Sequence, residues 1–568
     1  MNNASLELGG TNWAEKDGNI LGYSVGDTSG KFSPQEFTFA RGSNLSATRI
    51  NKAGLIVKGR ENLLLQSNQF DTTWSAVNTS VTSGQSGYDG SSDAWLLETN
   101  GTQFASNIQS VSSSGVTTQS IYAKAGTLDF VILYTASSAS PRVWFNLSNG
   151  TIGSSPGGAF GASIQAVGNG WYRCSFANND TTTNFRIYPT GADNTFSTTA
   201  GSIYIQDAQL EQGLAATPYI ETTSTTAEAG VLENTPRLNY TTGVANPYLL
   251  LEPSRTNLVN SSEYPTSVGG SGNVRLIGGA TATYNYGISP EGLQNSTLVL
   301  GSNGNIGLQV NFTSSAVNQD WSYSFYIKGT AGETVNLRFE LNPYYNNGSQ
   351  FVTFTGGWQR VEQKISYDAT AHTSKNIYIT FLNAATATQF EIYGVQAEAN
   401  ASYSTSYIPT YGTSQTRAAD DCYKTDASDV IGQTEGTILI DVDFKTLSGT
   451  NMFISIRPDS GNKIEIYRDI NLIYAETASS NSFSLIKTGV TVGRYKIAFA
   501  YSSGSNAMYI NGGLISSNST SFAFTSTLND IYVNSRGGSS YIEQSEYSQV
   551  QLYKERLTNA ELATLTTI

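Results

Sequence analysis

Apolar and polar residues alternate over short stretches along most of the chain. Ile203 and Ile205 share one strand face with Asp207, and Phe325 and Ile327 stand opposite Tyr326 and Lys328. Clusters of Gly, Ser, Asn and Thr separate such stretches, and no long amphipathic helix interrupts them. The pattern predicts an all-β chain of tandem antiparallel β-sandwiches. From Gly436 the alternation restarts, with Ile438, Ile440, Val442 and Phe444 on one face and Asp441 and Asp443 on the other, the latter two expected in water. Tyr495-Lys-Ile-Ala-Phe-Ala-Tyr reads as a central strand, and Met508-Tyr-Ile-Asn-Gly-Gly as a strand entering an Asn-Gly hairpin turn. Near the end, Thr558 as N-cap, Glu561 three residues on and the pair Leu557 and Leu562 predict one short helix with a capping box and a hydrophobic staple.

The pattern also repeats at a spacing near 190 residues. Asn62-Leu-Leu-Leu-Gln-Ser returns as Asn257-Leu-Val-Asn-Ser-Ser, and Ser120-Ile-Tyr-Ala-Lys as Ser324-Phe-Tyr-Ile-Lys. Gly170-Trp-Tyr-Arg answers to Gly357-Trp-Gln-Arg, and Asp207-Ala-Gln-Leu-Glu with Pro218-Tyr-Ile to Gly394-Val-Gln-Ala-Glu with Tyr407-Ile-Pro. The reading is an irregular leader (1–60), a first sandwich (61–222), a connector (223–256), a second sandwich (257–415) and a third (416–568). Leader and connector, the latter broken by Pro236, Pro247 and Pro253, have no self-contained apolar core and are expected to order against neighbouring modules or other subunits.

Composition narrows the function classes. Charged residues are 13 % of the 568, against about 25 % in ordinary soluble chains, while Tyr alone numbers 33. The net charge of −13 and the lack of any Lys/Arg cluster argue against nucleic acid as partner. No apolar run is long enough for a membrane-crossing helix. The two cysteines, Cys174 and Cys422, lie in different modules, so a disulfide framework is not expected. The start, Met1-Asn-Asn-Ala-Ser-Leu-Glu, has no basic and apolar signal pattern, and a secretory signal is not expected.

The stretch Phe37-Thr-Phe-Ala-Arg-Gly-Ser-Asn-Leu-Ser-Ala-Thr-Arg-Ile-Asn-Lys-Ala-Gly-Leu-Ile, with Pro236-Arg-Leu-Asn-Tyr and Leu250-Leu-Glu-Pro-Ser-Arg-Thr-Asn-Leu, resembles linkers of bacteriophage structural proteins. In that family such linkers precede modules similar to carbohydrate-binding jelly rolls. The segment from Glu435-Gly-Thr-Ile to Leu552-Tyr-Lys-Glu-Arg resembles a concanavalin A/laminin-G-type domain. The resemblance implies two jelly-roll-like modules plus a concanavalin A-like sandwich in a virion component, a head or tail fibre or related appendage. Its implied partners are other virion proteins, further copies of itself (a trimer being the usual fibre solution) and host surface polysaccharide. A secreted glycan-binding protein and a polysaccharide depolymerase are the alternatives.

Candidate chemistry is sparse. The one histidine, His372, sits in a polar turn-like stretch without metal-ligand spacing or a nucleophile motif, which removes His-based triads and zinc sites. Asp441 with Asp443, and Glu465 without a second acid at suitable spacing, make weak glycosidase pairs, so the chain is read as non-enzymatic. Sugars stack on aromatic rings, and Trp144, Tyr344 and Tyr345, each among polar neighbours, are the glycan-binding candidates. Trp171 and Trp358 are read as packing landmarks. Asp207, placed by alternation on a core face, needs compensation. The jelly-roll resemblance implies a structural calcium there, a Lys or Arg partner or an open strand end being the other solutions; Gly394 takes its place in the second repeat.

Overall fold

The computed structural model describes residues 4–10, 13–25, 32–196, 198–241, 243–266, 269–313, 319–342, 345–366, 374–382, 385–538 and 541–568. Antiparallel strands dominate, and among these residues the one α-helix is Asn559–Leu565. In the first module, two six-stranded sheets face each other. One centres on Val116–Ala125, flanked by Trp171–Asn179 and Gly201–Gln212; the other on Phe130–Ala136 and Thr182–Thr190. Inward residues of both, among them Leu97, Ile121, Leu133, Phe145, Phe176, Ile187 and Ile205, fill the core. The second module repeats the plan with two five-stranded sheets, Asp320–Lys328 lying between Gln359–Ser366 and Gln389–Ala399.

Hydrogen bonds confirm the duplication side chain by side chain. Asn62 Nδ2 donates to the carbonyls of Ala208 and Ile220, while its Oδ1 accepts from the amides of Leu64 and Leu210. Asn257 does the same with Val395, Ile408, Val259 and Ala397. Glu211 accepts from the amide and hydroxyl of Thr217 as Glu398 does from Thr405, and Arg173 spans Ser120 and Thr217 as Arg360 spans Ser324 and Thr405. Polar residues at matched places thus tie each module's opening segment and closing loop to its longest strand.

The third sandwich is assembled from distant parts of the chain. Glu435–Phe444 pairs with Gly493–Ser502 and Ser545–Tyr553, with Ile438, Ile440, Val442 and Phe444 in the core as the alternation predicts. The leader orders against this module, and it does so as strands rather than as irregular chain. Leu6–Gly9 pairs with Ser545–Tyr553, and Phe32–Ala40 with Asp421–Lys424. Leu6, Leu8, Ile20, Phe37 and Phe39 of the leader are buried together in the C-terminal core, where connector residues Leu249 and Leu251 join them. Asn511 and Gly512 both take positive φ, 50° and 84°, the geometry of the predicted hairpin turn. The helix carries the expected capping box of Thr558 and Glu561, with Leu557 and Leu562 buried beneath it.

Candidate functional site

The residues singled out from the sequence do not converge. Trp144 is a correction: its polar sequence neighbours suggested exposure, yet it is 1 % exposed. The segment through Phe196 folds over it, the ring packs against Ile132, Tyr188 and Phe196, and the indole N–H donates to Thr195 O at 2.9 Å. The partly exposed surface beside it belongs to Tyr134, with the Arg142 and Arg186 guanidiniums over its ring at 5.9 and 5.3 Å. Tyr344, the side chain of Tyr345 and His372 lie outside the described residues.

Asp207 is buried, but not in the core. A β-bulge opposite Ile121 shifts the alternation, so Ile203 and Ile205 face the core before it and Ala208 and Leu210 after it. Asp207 takes the left-handed conformation, φ 54°, and Gly394 makes the matching bulge at φ 63°. Backbone geometry therefore explains the Asp/Gly pairing, since both tolerate this region. The carboxylate meets an outer-face aromatic group instead. It accepts from the Tyr88 hydroxyl at 2.9 Å, while the Tyr88 ring stacks on Tyr122 with centroids 3.8 Å apart. Burial, opposed by the Tyr88 bond and reinforced by Asp93 and Asp89, pushes the carboxyl up to about 7. Among the described residues no Lys or Arg pairs with Asp207, and no group of three His, Cys, Asp or Glu side chains is arranged to hold a metal. Calcium takes six to eight oxygens, and this donor set does not fit it.

Acid pairs in the third sandwich are neutralised. Asp441, expected in water, is 3 % exposed and held by a bidentate Arg494 at 2.7 and 2.6 Å. Glu465 does have a second acid, which linear spacing hid: Glu476 faces it across the strand pair. Lys463 Nζ lies between them, 2.5 and 2.7 Å from the two carboxylates. Burial would raise Glu476, but the Lys463 contact outweighs it and holds that carboxyl below its ordinary value.

A buried concentration of charged side chains was invisible to motif reading. At the junction of leader, connector and third module, Arg41, Arg237, Glu252, Arg417 and Asp420 are all without solvent exposure. Arg237 bonds both acids, Arg417 reaches Glu252 at 2.8 Å, and Arg41 reaches Asp420 at 3.2 Å. Ser406 of the second module donates its amide and hydroxyl to Glu252. Burial would raise Glu252, yet Arg417 and Arg237 bring it down to about 2. A second clamp lies nearby. The hairpin of Thr48–Ile50 and Ile56–Lys58 seats Ile56 on Tyr393 and Tyr407 of the second module, and Lys58 Nζ reaches Glu263 at 2.7 Å and Glu291 at 3.1 Å. Burial alone would lower this ammonium; the two glutamates overcome it and raise it. One signal was available: Glu252 closes the apolar run Leu249-Leu-Leu, where an unpaired charge is costly.

No family model matches the chain, and no curated protein matches it. Among solved structures, the sialidase carbohydrate-binding module CBM40 of Ruminococcus gnavus, bound to α2,3-sialyllactose, aligns at 16 % identity, covering 25 % of this chain and 91 % of that one, with a TM-score of 0.23. The binding domain of botulinum neurotoxin serotype G aligns at 13 % identity over 26 % of this chain and 42 % of its own, TM-score 0.21. Domain 4 of an extracellular arabinanase of Geobacillus stearothermophilus, in complex with arabinotriose, aligns at 15 % over 26 % and 73 %, TM-score 0.22. The tandem sandwich architecture of this chain stands on its own strand pairing.

Proposed function

We propose that the chain is a non-enzymatic structural component of a bacteriophage particle, a fibre-like appendage whose braced sandwiches present glycan-binding faces to the host. The observation that carries this reading is the fully buried ionic junction. Leader, connector and the segment entering the third sandwich are each pinned by charges that water does not reach, so the modules are held as a strut rather than strung on flexible linkers. Arg41, Arg237 and Glu252 stand within the very stretches that resemble phage linkers, which gives that resemblance a mechanical meaning.

Binding fits the remaining chemistry better than bond cleavage does. In the third sandwich Asp441 is held by Arg494, and Glu465 with Glu476 by Lys463. Antibody labelling of purified particles tests placement, and density at a head or tail appendage is expected; a particle without the chain overturns it. Sedimentation of the purified protein tests for the homo-oligomer. Release of reducing ends from host polysaccharide would refute the non-enzymatic assignment.

A further inference from the structure

A cavity of about 410 Å³ opens where the leader hairpin, the connector, the second module and the third sandwich meet. No one module contains it. Arg49 comes from the hairpin, Asn239 and Tyr248 from the connector, Tyr326, Arg360 and Glu362 from the second module, and Lys445, Gln544 and Glu546 from the third. Tyr403 joins Tyr248 and Tyr326 in the wall, behind which Tyr407 is buried.

We infer that this junction cavity is a binding site for a neutral saccharide of one or two pyranose rings. The assignment rests on the glycan-binding reading above and gives it a location. Volume is the first ground, since small-molecule pockets begin near about 300 Å³. Charge balance is the second. Arg360 lies 3.0 Å from Glu362, Lys445 lies 3.1 Å from Asp443 and Arg49 lies 3.8 Å from Glu15, so the lining cations are already paired and an anion would gain little. Hydrogen-bonding capacity is the third. Tyr326 is half-buried at the cavity wall, and among the described residues Gln544 Oε1 is buried with no partner. Tyr248 OH accepts from Asn239 Nδ2 at 2.6 Å, which leaves its own proton to donate. Tyrosine rings beside amides and carboxylates match the apolar face and hydroxyl rim of a sugar. The raised carboxyl of Glu546, brought to about 7 by burial, adds a group able to donate as well as accept.

The test uses the full-length protein on an array of neutral and uronate- or sialate-bearing oligosaccharides, followed by calorimetric titration of the tightest neutral binder. Tyr326→Phe removes only a hydroxyl, and Glu546→Gln is isosteric, so both should fold; circular dichroism and melting curves check this. Each should weaken binding at least about tenfold, roughly the loss of one hydrogen bond to a buried polar partner, while Tyr134→Ala on the first module leaves it unchanged. Binding that survives both junction variants and falls in Tyr134→Ala overturns this location but not the glycan-binding reading. Binding confined to acidic sugars overturns the neutral assignment. No saccharide bound by the unaltered protein overturns both readings.

Discussion

Replacing Asp207 by asparagine should stabilise the first module at alkaline pH and do nothing in acid. The side chain is 6 % exposed, and burial with Asp93 and Asp89 nearby raises its carboxyl from the ordinary 3.8 to about 7. The folded chain thus holds this proton more tightly than the unfolded chain does. Its contribution is fully present below about pH 4 and is lost as pH rises through about 7. At 1.36 kcal/mol per tenfold difference, the ionised group costs the fold on the order of 4 kcal/mol at pH 8 as an upper bound. Asparagine keeps an oxygen for the Tyr88 hydroxyl and accepts the φ of 54° at the bulge, so about 2 kcal/mol or more should be recovered. Urea unfolding followed by tryptophan emission, with four of the seven tryptophans (Trp74, Trp95, Trp144 and Trp171) in this module, reads the effect in EDTA at pH 5 and pH 8. Equal or lower stability of Asp207→Asn at pH 8 would refute the argument. So would calcium stabilising the parent protein and not the variant, because the carboxylate would then be neutralised by an ion.

Three further outcomes follow from the packing. Glu252→Gln leaves three buried arginines with one carboxylate and should cost about 3–5 kcal/mol, read as a lowered calorimetric transition; an unchanged transition would mean the junction does not brace the modules. Lys58→Met leaves Glu263 without a cation and Glu291 with Arg60 alone, and should speed amide exchange across 48–58 at least tenfold, with the core strands of the first module unaffected. Asn62→Ala and Asn257→Ala each remove four matched backbone hydrogen bonds and should cost about 3 kcal/mol apiece, equal within about 1 kcal/mol; a large effect in only one module would contradict their equivalence.

Strand periodicity and turn chemistry are local, and they were legible. The Asn511-Gly512 turn, the Thr558 cap and the face of Ile438 to Phe444 all follow from neighbours within a few residues. The duplication was legible because matched polar residues have matched backbone duties. What could not be read is long-range. Phe37 and Phe39 alternate with Glu36 and Thr38 as any strand would, but nothing near them announces that their core lies nearly 400 residues away. The Asp207 bulge reversed a facing that strict alternation had assigned. Trp144 was misjudged because exposure depends on the segment that folds over it, not on its sequence neighbours.

The two repeats then show how one fold was put to two uses. In the second module, the outer face beside the bulge receives the leader hairpin: Ile56 covers Tyr393 and Tyr407, and Lys58 pairs with Glu263 and Glu291. In the first, the same face closes on itself, with Tyr88 stacked on Tyr122 and bonded to Asp207. Glycine at 394 lets the tyrosines beneath the hairpin close in on the bulge: a Cβ there would come within 3.3 Å of the Tyr326 and Tyr407 rings. Asp207 fills the corresponding space with an acceptor for Tyr88. The residue at the bulge therefore differs with the cover, and the leader, lying before the first module in sequence, is clamped to the second through Ile56 and Lys58.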